Sequence, residues 1–344
     1  MACQKPLCFI EYPGERRKIL PARIWDEYLA AKRDGDEETL SRAPYYGATR
    51  VVQIPCGQCI QCRLDKSRKW ANRMMAEARC WDHNYFVTLT YDDNHLPIRD
   101  WFHDEDGSIQ EGVTLLPDEI SKFMKKLRVY YERRTGKTGI RFFGCGEYGE
   151  KSGRPHYHII LFNCELDDLK PYKATECGPL FNSAFLESIW SDEYGQKGYV
   201  TVAPFTWDTG AYVARYIMKK QLGPPAYSYY NEHRKIPEYV IMSRNPGIGK
   251  FYYDQKKDEI YETDEIIIHK HGATIKAKPG KYFDGYYAAE EPEKMEVIKR
   301  KRERAGYMSE LEQRRQSGLT AQEYRDLQAE SMARRMAGLS RDLD

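Results

Sequence analysis

The sequence predicts an α+β fold: a central antiparallel β-sheet with flanking helices, followed by a charged helical C-terminal tail. Three observations carry that expectation. Strand-like and helix-like segments follow in the order strand, helix, paired strands, helix, which suits helices packed on an antiparallel sheet. An apolar fraction of 41% and an aromatic fraction of 13% in 344 residues support a real core and exclude a disordered chain. From Pro292 onward the chain holds 12 basic and 10 acidic residues in a helix-prone pattern, which reads as a solvated appendage.

The first 55 residues show few periodic elements, and Asp34 to Glu38 reads as an exposed acidic loop. A helix is expected from about Arg63 to Cys80. Leu64, Ser67, Ala71, Met74 and Ala78 form its less polar stripe, and Arg63, Lys66, Lys69 and Arg73 form a basic face. The aromatic and β-branched run Tyr85 to Tyr91 is a strand, followed by an acidic, Gly-containing connection from Asp92 to Gly112. From Pro117 to Arg134, Ile120, Phe123, Leu127 and Tyr130 recur at steps of three and four. The same segment carries Lys122, Lys125, Lys126, Arg128, Arg133 and Arg134, making it a basic helix.

Ile140 to Tyr148 and Pro155 to Asn163 form a hairpin across a polar stretch with Gly149 and Gly153. After a loop-rich stretch comes a strand from Tyr199 to Pro204. A helix follows from Thr206 to Gln221, capped near Thr206 or Thr209. Further strands are expected at Glu238 to Met242 and Glu265 to His269. There is no internal repeat. Gly136-Lys137-Thr138 looks like the end of a phosphate-binding loop, but it follows a helix and Tyr131 stands where the motif needs glycine, so it reads as a turn.

No apolar run approaches the roughly 18–20 residues of a membrane span. Met1 to Leu20 lacks a signal peptide's uninterrupted apolar stretch, so the expected place is a cytoplasm, with the nine cysteines as reduced thiols or metal ligands.

Three constellations could carry chemistry. In the strand Pro155 to Asn163, His156 and His158 point to one face and can converge on one ion. Eight histidines give about 0.2 His-x-His pairs by chance, so two structural histidines would look the same. The hairpin shifts the balance, because Glu147 falls almost opposite His156 and adds a carboxylate. Second, in Tyr212-Val213-Ala214-Arg215-Tyr216-Ile217-Met218-Lys219-Lys220, the two tyrosines stack one helical turn apart with lysines one turn further on. That spacing fits paired phenolic nucleophiles beside a cation, although with 27 tyrosines it also arises as ordinary amphipathic packing. Third, Cys56-Gly57-Gln58-Cys59-Ile60-Gln61-Cys62 is a triple spacing expected by chance about 0.006 times per chain. With Cys3 or Cys8 as a further thiolate it could hold a structural zinc; an iron–sulfur cluster or buried thiols are the alternatives.

Taken in order, Phe86 to Tyr91, Gly146-Glu147-Tyr148, Arg154 to Ile160 and Tyr212 to Lys220 resemble the HUH endonucleases that initiate rolling-circle replication, whose core is RRM-like. Pro55 to Arg63 and Ser243-Arg244-Asn245-Pro246-Gly247-Ile248-Gly249 narrow the resemblance to initiators of gokushovirus-type phages in the Microviridae. It covers about residues 1 to 255. The resemblance implies His156 and His158 as metal ligands, with Glu147 as the third and Glu150 the alternative. It implies Tyr212 and Tyr216 as nucleophiles and Lys219, or else Lys220, as their cation. The implied cofactor is a divalent metal, Mg²⁺ or Mn²⁺, beside the structural Zn²⁺. The implied reaction nicks single-stranded or melted origin DNA, leaving a 5′-phosphotyrosine and a free 3′-hydroxyl, and later rejoins the strand. Partners would be origin DNA and a host polymerase and helicase, in a host bacterial cytoplasm.

The corresponding division is a Cys-rich arm and basic helix (1–80), the endonuclease core (81–255), a β-rich extension (256–289) and the tail (290–344). Two other function classes remain open: a zinc-stapled nucleic-acid-binding protein without catalysis, and a phosphodiesterase that activates water. The net charge of +2 conceals local values of +4 over Cys56 to Arg79 and +5 over Glu119 to Gly139, where DNA phosphates could be gripped.

Overall fold

Alternation in Leu7-Cys8-Phe9-Ile10-Glu11 turns Cys8 and Ile10 inward and makes the first strand, β1 (Leu7–Glu11). The computed structural model describes residues 3, 5–14, 16–102, 109–149, 152–175, 178–219, 230, 235–270 and 272–337. They fall into two units, one of residues 1–66 with 297–341 and one of 67–296.

In the first unit β1 pairs antiparallel with both β2 (Arg17–Pro21) and β3 (Arg50–Ile54). Between them lie α1 (Ala22–Asp34) and α2 (Glu37–Leu40). Cys8, Ile10 and Tyr45 form a small core, against which Ile24, Trp25 and Tyr28 pack. The expectation of few regular elements before residue 55 is therefore corrected. Strands of five residues, one of them largely exposed, are too short to display a clear period. Asp34 to Glu38 is exposed as expected: Gly35 closes α1 and Asp36 caps α2 by accepting from Thr39 N at 3.0 Å.

α3 (Ile60–Ala78) leads from the first unit into the second. There follow β4 (Asn84–Thr90), β5 (Ile98–Phe102), β6 (Ile109–Val113), α4 (Glu119–Thr135), β7 (Arg141–Tyr148) and β8 (Pro155–Phe162). Next come β9 (Lys170–Thr175), β10 (Gly178–Asn182), α5 (Ala184–Ile189), β11 (Ser191–Asp192), β12 (Gly195–Gln196), β13 (Val200–Pro204) and α6 (Trp207–Lys219). The unit continues with β14 (Tyr239–Met242), α7 (Lys250–Thr263), β15 (Ile266–Lys270), β16 (Ala273–Ala277) and α8 (Lys281–Glu290).

Among the described residues seven strands form one antiparallel sheet in the order β14-β7-β8-β4-β13-β10-β9. β7 and β8 are buried along their whole length, and their alternation divides the core in two. Tyr157, Ile159 and Leu161 face a cluster with Ile120, Phe123 and Leu127 of α4. Ile160, Phe162, Phe143 and Cys145 face the opposite cluster, with Met74 of α3 and Tyr212, Val213 and Ala214 of α6.

Several expectations need correction here. The stretch from Asp92 to Gly112 carries the β5–β6 hairpin, with Ile98 paired to Val113. The loop-rich stretch after Asn163 contains β9 and β10, which extend the main sheet. β9 is exposed at every position, so no inside–outside alternation marks it in the sequence. The segment 256–289 holds one hairpin, β15–β16, between α7 and α8. Gly136 is the left-handed cap of α4, consistent with a turn.

A buried ion pair pins the loop Ser243 to Gly249. Glu77 Oε1 accepts from Arg141 Nε at 2.5 Å, Glu77 Oε2 accepts from Gly249 N at 2.5 Å, and Arg141 Nη2 donates to the Pro246 carbonyl at 2.8 Å. Gly249 has φ +83°, and a Cβ there would stand 3.1 Å from Arg73 Cγ, which explains glycine at the motif's end. Glu77→Ala would leave the Arg141 guanidinium buried without its carboxylate. The expected loss is about 3–5 kcal/mol, read as a lower urea midpoint.

The chain ends in α9 (Pro292–Ser317) and α10 (Ala321–Ala337), the helical tail expected from the sequence. Val297, Tyr307, Met308 and Leu327 are exposed on it. No helix among the described residues is long and apolar enough to cross a membrane.

Candidate active site

The register of the β7–β8 hairpin makes Glu147 and His156 ladder partners, and Cys145 the partner of His158. All three site residues face the side of the sheet that α6 covers. Glu147 Oε1 lies 2.6 Å from His156 Nε2 and 2.8 Å from His158 Nε2. Exposure is 1% for Glu147, 8% for His156 and 1% for His158. A carboxylate so enclosed needs strong partners. Burial pushes the Glu147 carboxyl up, but hydrogen bonds from the two imidazoles outweigh burial and hold it down to about 2.

The outer nitrogens are also held. His156 Nδ1 lies 3.2 Å from the Arg154 carbonyl and His158 Nδ1 2.9 Å from Thr88 Oγ1. A carbonyl can only accept, so His156 Nδ1 carries a proton. The Thr88 hydroxyl can accept likewise. Both rings can therefore give up the Nε2 proton and present a lone pair to an ion beside the carboxylate, the tautomer a metal ligand requires. The three ligand atoms lie within 4.8 Å of one another. Two imidazoles and one carboxylate fit a divalent ion and leave coordination positions for phosphate oxygen or water.

α6 brings a tyrosine to this group. Its start is set by a reciprocal cap, with Thr209 N donating to Thr206 Oγ1 at 3.2 Å and Thr206 N to Thr209 Oγ1 at 2.9 Å. The Tyr212 ring stands edge-on to His158, with centroids 5.2 Å apart and planes at 82°, and edge-on to Phe86. Phe86 in turn stacks on His158 at 5.2 Å. Tyr216 and Lys219 lie on α6, with side chains outside the described residues; Lys220 and Glu150 lie wholly outside them.

The basic residues divide. α4 packs on the other face of the sheet, so Lys122, Lys125 and Lys126 stand across the sheet from the histidines. Lys126 Nζ is occupied at the end of α5, donating to the Ser188 and Ser191 carbonyls at 3.1 and 3.0 Å. Lys122 pairs with Asp118 at 3.4 Å. Arg73 is turned inward: its guanidinium lies 4.4 Å from the Trp70 ring and 3.3 Å from that of Tyr282, and its Nε donates to the Ile248 carbonyl at 2.5 Å. A free phosphate-gripping role for Arg73 and Lys126 is thus corrected, because helical periodicity shows a basic face without showing what covers it. Lys66, Lys69 and Lys125 are exposed, and Arg63 is half-buried.

In the first unit Cys3, Cys56, Cys59 and Cys62 come together. Cys8 is not among them and packs with Ile10 and Tyr45. Thr88 and Phe86 join the site without having been expected there as site residues. Their shared parity in Phe86-Val87-Thr88 was the available signal, but only strand pairing places β4 beside β8, with Thr88 opposite His158.

Residues 84–221, which span all of this site, match the family of replication-associated proteins of the ORF2 type. The chain is 36% identical over 255 residues to the replication-associated protein ORF2 of Spiroplasma virus 4, covering 73% of each chain. It is 29% identical over 267 residues to the replication-associated protein VP4 of Bdellovibrio phage phiMH2K, covering 76% of each. Identity is 34% over 173 residues to the replication-associated protein ORF4 of Chlamydia phage 1, covering 48% of this chain and 38% of that one. No solved structure matches the chain. An identity above one third sustained over nearly three quarters of both chains places this protein in the ORF2 family of replication-associated proteins.

Proposed function

We propose that this protein initiates rolling-circle replication by nicking single-stranded or melted origin DNA through tyrosine attack, and later rejoins the strand. The observation that carries the reading is the Glu147–His156–His158 group with the Tyr212 ring against His158. Bound there, a hard divalent ion, Mg²⁺ or Mn²⁺, would supply Lewis-acid polarisation of the scissile phosphate.

The chain's own residues do the rest. Glu147 fixes both imidazoles through one oxygen, and the Arg154 carbonyl and Thr88 hydroxyl fix their orientation. The Tyr212 hydroxyl attacks phosphorus, a P–O bond to the tyrosine forms, and the bond to O3′ breaks. The 3′ oxygen leaves with its electron pair and takes up a proton, while the phenolic proton is lost. One phosphodiester replaces another, so resealing needs no ATP. A tyrosine near its ordinary pKa of about 10 is a poor nucleophile, and Lys219 is the proposed cation beside it. Tyr216, one helical turn on, would cut the regenerated origin while Tyr212 holds the first end. The freed 3′-hydroxyl would serve a host polymerase, with a host helicase opening the duplex, in the bacterial cytoplasm.

Unpaired DNA suits the surroundings. Tyr199, whose carbonyl accepts from Thr90 N at 3.0 Å, is 70% exposed beside the ladder partner of His156 and offers a stacking face for a base. Exposed Lys66 and Lys69 offer phosphate contacts.

The test incubates the protein with labelled origin single strand and Mn²⁺ and looks for an adduct that survives denaturation. An adduct at the new 5′ end is expected; cleavage without one would point to attack by water, and neither product to binding alone. Thr88→Val keeps the shape and removes the hydroxyl from His158. It should raise the metal concentration for half-maximal cleavage about 10–100-fold, with the melting temperature little changed.

A further inference from the structure

Four sulfur atoms converge where β1 and β3 leave their ladder. Leu7 pairs with Ile54, so the residues before β1 and those after β3 emerge at the same end. Cys3 comes from one side, and Cys56, Cys59 and Cys62 from the other. Cys8, paired with Gln53 inside the ladder, is held in the core.

Cys3 Sγ lies 3.8 Å from Cys59 Sγ, and Cys56 Sγ lies 4.0 Å from Cys62 Sγ. All four sulfurs lie within 4.8 Å of one another. Metal–sulfur bonds of about 2.3 Å in a tetrahedron require sulfur–sulfur edges of about 3.8 Å. Backbone donors face the sulfurs as well: Cys56 N donates to Cys3 Sγ at 3.2 Å, and Cys59 N to Cys56 Sγ at 3.3 Å. Such donors favour thiolates. Gly57, at φ +75°, turns the chain so that Cys56 and Cys59 reach one point, and Cys62 follows in the first turn of α3.

We propose that Cys3, Cys56, Cys59 and Cys62 bind one tetrahedral ion of the zinc class, in a closed structural site distinct from the Glu147–His156–His158 group and independent of the reaction proposed there. All four positions are filled by protein, so no coordination position is left for substrate. A polynuclear iron–sulfur cluster must seat inorganic sulfides between its irons, and four sulfurs this close leave no room for them. On binding, the four thiols give up their protons to solvent, so the ion joins the residue 3 segment to the start of α3 at a cost that rises with acidity.

The test uses the full-length protein purified without chelator. Elemental analysis should find one zinc per chain, released stoichiometrically when an organomercurial titrates the thiols. Cobalt-exchanged protein should show the intense sulfur-to-cobalt charge-transfer bands of a tetrathiolate. Cys3→Ser should lower zinc retention at least about tenfold, whereas Cys8→Ser and His156→Ala should retain the ion. Metal-free protein with four freely titrating thiols would overturn the proposal. So would full retention in Cys3→Ser, or iron accompanied by acid-labile sulfide. If Cys3→Ser is insoluble, the cobalt spectrum of the unaltered chain decides: no charge transfer means no tetrathiolate site.

Discussion

Replacing Tyr212 and Tyr216 together by phenylalanine is expected to abolish the covalent protein–DNA adduct. Cleavage should fall below about one thousandth of the unaltered rate, the scale on which enzymes lose activity when a nucleophile is removed. Each single change should reduce the adduct without eliminating it, because the tyrosines stand one turn apart on α6 and one can act where the other is missing. Phenylalanine keeps the ring that stands edge-on to His158 and Phe86, so packing is retained and the loss reports on the hydroxyl. A melting curve close to that of the unaltered protein confirms the fold. Full cleavage by the double variant would remove tyrosine from the mechanism and leave attack by water.

His156→Ala should lower cleavage by more than about a hundredfold, beyond what loss of an outer partner of a ligand costs. The change removes one ligand and also one of the two imidazoles that hold the Glu147 carboxylate. The remaining His158 keeps its bond to Thr88 and its stack on Phe86. DNA binding should persist within a few-fold, because phosphate contacts come from elsewhere on the surface. Raising Mn²⁺ should restore part of the activity if the lesion is in metal affinity. Cleavage at the normal rate and normal metal concentration would remove His156 from the metal site.

Local patterns made parts of this arrangement legible in advance. The hairpin of β7 and β8 was readable because both strands carry long aromatic and β-branched runs around a polar, Gly-containing turn, and its register follows from the turn's length. That register was enough to bring Glu147 opposite His156. α6 was readable from its threonine cap and apolar stripe. β9 was not, because an edge strand exposed on both sides shows no alternation. The short strands of the first unit were not, because five residues hold barely two periods. The basic face of α4 was correctly placed on a helix, yet the sheet stands between that helix and the histidines.

By itself the sequence determined which side chains share a strand or helix face, since that depends on periods of two and 3.6 residues in the chain. The pair His156 and His158, their partner Glu147 and the spacing of Tyr212 and Tyr216 all follow from it. Only the tertiary structure decided which faces meet. Strand order set Thr88 beside His158, the packing of α6 on the sheet brought Tyr212 to the same ring, and the β1–β3 ladder selected Cys3 over Cys8. Those contacts join residues from about 50 to more than 100 positions apart. Burial of apolar surface on the two faces of one sheet chooses among them, and no local period records that choice.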